Sequence, residues 1–506
     1  MSDDALAPYL VDEAGNRGSA ERLVRTGDLA EIAALLRQAS AVGVPVTFSA
    51  RRTSLTGSAL PDGGWLVVLP EDSSPDLVVV DGAEATAPAR VLVSDVEAAA
   101  DAAGRFFGPD PTSRKTCSIG GAVACNASGA RSFRYGPTGA WVEGLTVCLA
   151  SGEILRLRRG EHPPIDGAFH LQTAAGPLVI PCPPAHPAGL KDSLGYATQR
   201  ERPDVIDLFV GSEGTLGYLH DVTLRLLPRR EIFAALVFWD AVGPALDFVQ
   251  QLQTAPPAGL APMSVEWFDR ASLELAAARH PRLGVPASAA AALFVEQRHD
   301  KGDEDAVAMA WYEALLAAGA PDDDRALRIA RNKRDLEAFR EFRHAVPESI
   351  NALARGRGLR KLGTDLAWPP GTLHQMVAYY DAAVADVHQA LGADGVAAFT
   401  AAHGHPPASR LDAAAFGHIG DNHVHLNLLP RDAAEAAAGK ALYHAMSLHC
   451  AALGGAISGE HGVGKSKRDV LAEVLPPARL AQMRAIKAAL DPAGVLGRGN
   501  LFSWPG

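Results

Sequence analysis

The sequence predicts an α+β protein of two domains that meet near residue 228, and three observations carry that prediction. At 506 residues the chain is too long for one hydrophobic core and long enough for two or three. Residues 1–227 are punctuated by three glycine- and hydroxyl-rich blocks, at 49–59, 108–138 and 207–217. Beyond Pro228 the texture changes to strand, helix, strand, strand, helix, an order that suits an antiparallel sheet with helices on one side.

Bulk composition narrows the function classes. With 48% hydrophobic and 21% charged residues the chain reads as an ordered soluble protein. A net charge of -11, with no Lys/Arg run, argues against a nucleic-acid partner. The five cysteines, Cys117, Cys125, Cys148, Cys182 and Cys450, are odd in number and lack CxxC spacing, which disfavours a disulfide framework, a zinc knuckle and an iron–sulfur cluster. The N-terminus is acidic and has no leader pattern, and the most apolar run, 232–252, is broken by Asp240, Pro244 and Asp247. A cytoplasmic protein is expected, with peripheral contact to the inner face of a membrane left open.

Taken in order, residues 28–40 have apolar residues at helical spacing and an acidic first turn, and 44–48 follow as a strand. The loop after it, 49–59, carries hydroxyls, two arginines and a glycine, a composition suited to gripping a diphosphate, although a solvated turn has the same composition. In the second block, small residues give a backbone that can lie against a flat or charged ligand. Strands are read at 142–150 and 153–157, joined by the Ser151-Gly152 turn. The third block, 207–217, leads into an alternating strand at 222–227.

The order of these three blocks resembles the FAD-binding domain of the vanillyl-alcohol oxidase and p-cresol methylhydroxylase flavoproteins, a two-subdomain fold spanning residues 1–227 here. The resemblance implies FAD contacts from Arg51, Arg52, Thr53, Ser54, Leu55, Thr56, Gly57 and Ser58 in the first block. It implies others from Pro111, Ile119, Gly120, Gly121, Asn126, Ser128, Gly129, Tyr135 and Gly136 in the second, and from Glu213, Gly214 and Leu216 in the third. The first loop departs from the family in having Arg51 and Arg52 where small residues are usual, so an arginine grip on phosphate is expected. No histidine or cysteine matches a covalent flavin link, and the FAD is expected to be noncovalent.

After residue 228, strands are read at 232–239, 263–268 and 291–297, and helices at 242–252 and 304–318. The resemblance makes 228–506 the substrate domain, with a helical segment at 440–506 returning to the flavin domain. The family usually ends in Asn-Pro-Gly-Lys, where this chain has Gly497-Arg-Gly-Asn500. Residues 340–351 read as a helix bearing Arg343, and most arginines on such a helix are solvated. Residues 398–415 read as an inserted loop, with no role assigned to His403 or His405.

The densest chemistry lies at 416–427, Phe-Gly-His-Ile-Gly-Asp-Asn-His-Val-His-Leu-Asn, followed by Ser-Gly-Glu-His-Gly-Val-Gly at 458–464. On a helix, residues seven apart are separated by roughly 10 Å, too far to share an ion bound at about 2.0–2.1 Å. A straight strand puts them on opposite faces. The turn signal at 420–422 therefore predicts a hairpin that reunites His418 with His425, with Val424 and Leu426 on the buried face. His423 and His425, two apart on one face, form an alternative pair, and the residues alone leave both open. A buried histidine taken singly is more often just a satisfied core residue.

These motifs resemble the D-lactate, glycolate and D-2-hydroxyglutarate dehydrogenase branch of the same flavoproteins. That resemblance implies His418, His425 and Glu460 as ligands of a divalent metal, zinc first and manganese or iron next, and leaves His423 unassigned. It also implies Arg343 on the substrate carboxylate, Lys361 as a second anion contact, and Asn427 and His461 facing the substrate. The implied reaction oxidises a small D-2-hydroxy acid, D-lactate first, to the 2-oxo acid. His461 takes the hydroxyl proton with the metal's help, and the Cα hydride passes to N5 of FAD. An external quinone, cytochrome or electron-transfer flavoprotein would then accept the electrons. Rival readings are a metal hydrolase and a catalytically silent FAD-binding subunit.

Overall fold

The computed structural model describes residues 5–504, so the acidic first four residues of the leader reading lie outside it. A small parallel sheet comes first, in the order Arg22–Arg25, Trp65–Val68, Val46–Ser49. Helix Leu29–Val42 crosses between its strands. Asp28 caps it by accepting from the Glu31 N–H, Ile32, Leu36 and Ala39 recur on its buried face, and Gly43 ends it in the left-handed region at φ 70°. An antiparallel sheet follows, in the order Val79–Asp81, Glu84–Pro88, Tyr218–Arg225, Val142–Cys148, Ile154–Arg158, with Ser151-Gly152 at the turn between the last two.

The C-terminal part is built on seven antiparallel strands. Their order is Leu327–Ile329, Glu231–Trp239, Ala291–His299, Pro262–Asp269, Ala413–His418, His423–Leu428, Leu362–Gly363. Helices cover both faces of this sheet rather than the one expected. Along Glu231–Trp239, the side chains of Phe233, Val237 and Trp239 join a core with Phe248 and Trp311, while Leu236 and Phe238 join another with Leu273 and Phe342. The strand is apolar without alternation, which is how a strand buried on both faces reads.

Two further expectations change. Residues 398–403 end the helix Val387–His403, which Gly404 terminates at φ 74°, so only the nine-residue stretch 404–412 is irregular. The helix bearing Arg343 is longer than read, Lys333–Gly356, capped by Asn332 and running through Pro347. Helices Ala433–Ala452, Arg468–Val474 and Pro477–Leu490 follow, and the chain then rejoins the first sheet: the Val46 N–H donates to the Val495 carbonyl at 2.7 Å. The tail thereby ends among the glycine-rich blocks of the first 227 residues.

Candidate active site

Strands Ala413–His418 and His423–Leu428 form the expected hairpin. Its turn is a 3-10 segment, Ile419–Asp421, closed by Asn422 in the left-handed region at φ 50°. Asparagine tolerates that conformation better than other residues bearing a side chain. The turn is clamped: Gln253 Nε2 donates to the Gly420 carbonyl and to Asn422 Oδ1, and Asn422 Nδ2 donates to the Pro369 carbonyl. The register sets His418 opposite His423 and Phe416 opposite His425. With a side-chain period of two, all three histidines and Asn427 share one face.

Glu460 arrives on that face from the 458–464 loop. Its Oε1 lies 3.1 Å from His425 Nε2, and its Oε2 lies 3.3 Å from His418 Nε2, 2.9 Å from Lys191 Nζ and 3.4 Å from Ser128 Oγ. Burial would raise the Glu460 pKa, but Lys191 and His418 hold it well below the carboxylate range. Candidate ligand atoms from His418, His423, His425 and Glu460 all lie within 4.8 Å of one another. The outer nitrogens are held as well: His418 Nδ1 is 2.5 Å from Glu266 Oε1, and His425 Nδ1 is 2.9 Å from the Thr364 carbonyl. Imidazoles so oriented, with one carboxylate, form a donor set suited to a divalent transition ion.

Beside this cluster, Asp365 is a fully buried hub. It accepts from Ser458 Oγ, Lys467 Nζ and the backbone N–H groups of Glu460 and His461, and it faces His423 Nε2 at 3.0 Å. Its Oδ2 is 3.6 Å from Nδ1 of His461, whose ring stacks on His425 with centroids 5.3 Å apart. Burial pushes the His461 imidazole down to about 4, against the upward pull of Asp365.

Two cations border the hairpin. Arg343 is nearly buried; its Nε donates to Glu266 at 3.1 Å and its NH1 lies 3.9 Å from Asp110. Since Glu266 also holds His418, arginine and imidazole are coupled through one carboxylate. On the other side Lys361 Nζ donates to Asn427 Oδ1 at 2.8 Å, and burial lowers its pKa to about 8.

The 458–464 loop and the tail are wedged among the glycine-rich blocks. Glu213 accepts from the Val463 and Gly464 N–H groups, the Thr56 carbonyl accepts from the Lys465 and Ser466 N–H groups, and Asn500 Nδ2 donates to the Ser58 and Glu213 carbonyls. Histidine cluster and glycine-rich blocks therefore meet at one place.

Comparison with known proteins fits that junction. The model of the FAD linked oxidases C-terminal domain matches residues 228–501, and that of an FAD binding domain matches 20–158. The chain belongs to the FAD-linked oxidases. It is similar to D-2-hydroxyglutarate dehydrogenase of Xanthomonas citri pv. viticola, at 30% identity over 94% of this chain and 88% of that one. Glycolate oxidase subunit GlcD of Bacillus subtilis is 28% identical, over 94% and 87%, and D-lactate dehydrogenase of Anaerostipes hadrus 26%, over 99% and 94%. Among solved structures, alkyldihydroxyacetonephosphate synthase superposes with a TM-score of 0.61 at 15% identity, covering 94% of this chain and 76% of that one, and shares the fold. The flavoprotein resemblance drawn from the three blocks is borne out, and this FAD-linked oxidase is an FAD-dependent oxidoreductase.

The blocks fit FAD. Ser49 Oγ and Asn126 Nδ2 are buried there with no hydrogen-bond partner, as polar atoms awaiting a ligand would be. A side chain at Gly214 would meet open space. Other details differ from expectation. The guanidinium groups of Arg51 and Arg52 turn to Glu71, and that of Arg52 also lies over Tyr9, so neither is aimed at a diphosphate unless Glu71 is displaced. Ile119 and Leu216 point into the core. Gly120 and Gly129 are small to let backbones approach: a Cβ would sit 2.5 Å from that of Ala89 and 1.9 Å from the Asp110 carbonyl oxygen, respectively. Tyr135 packs against Trp141 and receives a hydrogen bond from Arg298.

Sequence reasoning missed Glu266, Asp365 and Lys191, and it left His423 unassigned after weighing it as a partner of His425. Glu266 was visible as an acid in the middle of an apolar strand, and Asp365 lies four residues after Lys361. Lys191 sits in a loop with no pattern to mark it.

Proposed function

We propose that this FAD-linked oxidase converts a small D-2-hydroxy acid, D-lactate first among them, to its 2-oxo acid. The observation that carries the reading is His461, a base stacked on the histidine cluster at the junction with the FAD blocks. The names of the relatives, which act on glycolate, D-lactate and D-2-hydroxyglutarate, point to the same substrate class.

When bound, FAD supplies a two-electron acceptor for the Cα hydride, and a divalent ion held by His418, His425 and Glu460 supplies acidification of the hydroxyl. The side chains do the rest. Arg343 and Lys361, with Asn427 beside Lys361, offer charged donors for the carboxylate. His461, depressed to about 4, is a free base at neutral pH and takes the hydroxyl proton. Asp365, 3.6 Å from Nδ1, orients the ring and stabilises it once protonated. Electrons leave to an external acceptor of the quinone, cytochrome or electron-transfer flavoprotein class.

The test is anaerobic mixing of the flavoprotein with D-lactate, glycolate and D-2-hydroxyglutarate, with and without chelator, following flavin absorbance. Bleaching by one of them that chelator suppresses is expected. Failure of all three to bleach a flavin-loaded protein refutes the reading.

A further inference from the structure

His423 lies fully buried on the hairpin, and its two ring nitrogens are in unequal situations. Nε2 faces Asp365 Oδ1 at 3.0 Å, whereas Nδ1 has no hydrogen-bond partner. Buried polar atoms are nearly always satisfied, so an orphan nitrogen inside a polar cluster calls for a ligand. Its neighbours show what kind. In His418 and His425, one nitrogen is fixed by a protein oxygen, from Glu266 or Thr364, and the other turns to Glu460. His423 repeats the pattern with its nitrogens exchanged: Asp365 accepts the Nε2 proton and thereby leaves the Nδ1 lone pair open. Its ring centroid is 4.6 Å from that of His425 and 5.7 Å from that of His418.

We propose that His423 is itself a metal ligand, giving the site three imidazoles and one carboxylate, a proposal that rests on the metal reading of His418, His425 and Glu460. Three nitrogens and one oxygen favour zinc, iron or manganese over magnesium and calcium. The single carboxylate leaves a divalent ion with one net positive charge toward an anionic substrate. Asp365 then has a double office, since it positions both this ligand and the base His461, tying proton acceptor and ion to one carboxylate. Lys191, now on Glu460, has Asp421 Oδ2 at 3.9 Å as another acceptor when the ion arrives.

The test uses full-length flavoprotein with zinc as the probe. X-ray absorption at the zinc edge of the wild-type protein counts imidazole ligands: three are expected, and two would overturn the proposal. In parallel, His423→Gln and His423→Asn are stripped with chelator and titrated with zinc against a chromophoric competitor. At least ~10-fold weaker zinc affinity, with the flavin spectrum retained, is expected, and unchanged affinity would again overturn it. Should neither variant fold, the ligand count on wild-type protein decides alone. Wild-type protein that binds no zinc would instead remove the metal reading and, with it, this proposal.

Discussion

The His461 imidazole is stacked on His425 and lies 3.6 Å from both Asp365 and Glu460, so it has contacts to hold it and a low enough basicity to stay unprotonated near neutrality. His461→Ala is expected to retain FAD and metal while slowing flavin reduction by roughly 10²–10⁴-fold, the usual contribution of a positioned base; stopped-flow reduction measures it. Lys361 answers to a different readout. Replacing it by Met removes a charged donor without removing the base. KM for the acid should rise roughly 10- to 150-fold, on the basis of a charge-assisted hydrogen bond of roughly 1.5–3 kcal/mol, while kcat moves less. At this scale the sequence was most informative where residue type and motif coincide, as in His418, His425 and Glu460. It was least informative for His423 and Lys191, whose surroundings come from residues 58 and 269 positions away.

Single elements carry the geometry. The hairpin aligns its histidines because Asn422 accepts a left-handed backbone and is hydrogen-bonded to Gln253 and Pro369. Asn422→Ala is expected to cost about 1–3 kcal/mol through strain and lost hydrogen bonds; denaturant unfolding with and without zinc would register both the loss and a smaller metal-dependent gain. On the adjoining strand Pro262–Asp269, burial alone would raise the Glu266 pKa, but His418 and Arg343 together bring it down to about 2 from 4.5. A depressed carboxylate adds stability that is fully present above about pH 4.5 and is lost as pH falls toward 2. Glu266→Gln should therefore be less stable than wild type at pH 7, with the gap closing through that acid range in unfolding experiments run at stepped pH. Elements of this kind were legible where periodicity was clean. The hairpin could be argued from seven-residue spacing and a turn signal, whereas the second covered face of the seven-stranded sheet needed the helices Arg270–Arg279 and Lys333–Gly356 to be seen in place.

Across the whole molecule, the two sequence-defined parts are fastened by a few buried polar groups. Asn500 bonds Ser58, Glu213 and Lys465 at once, and Lys487 bonds Thr215, Leu496 and Asp491. Asn500→Ala should loosen both phosphate-side and third-block contacts, so that FAD is released more readily; fluorescence of freed flavin during dilution or mild heating measures it, and retention equal to wild type would show that the tail does not support the cofactor. The departure of this tail from the family motif gave no hint of such a role, because it depends on where residues far apart in sequence come to lie. Location was equally indirect: among the described residues no helix is long and apolar enough to cross a membrane.

The Asn500 side chain closes a contact with Ser58 across 442 residues of chain. Synthesis proceeds from the N-terminus at about 5–20 residues per second, so the loop at 49–59 waits roughly 20–90 s on the ribosome before its last partner exists. The nascent N-terminal part must stay folded, or shielded, with those backbone groups unmatched. Whatever Asn500 contributes to these blocks is added only after that interval.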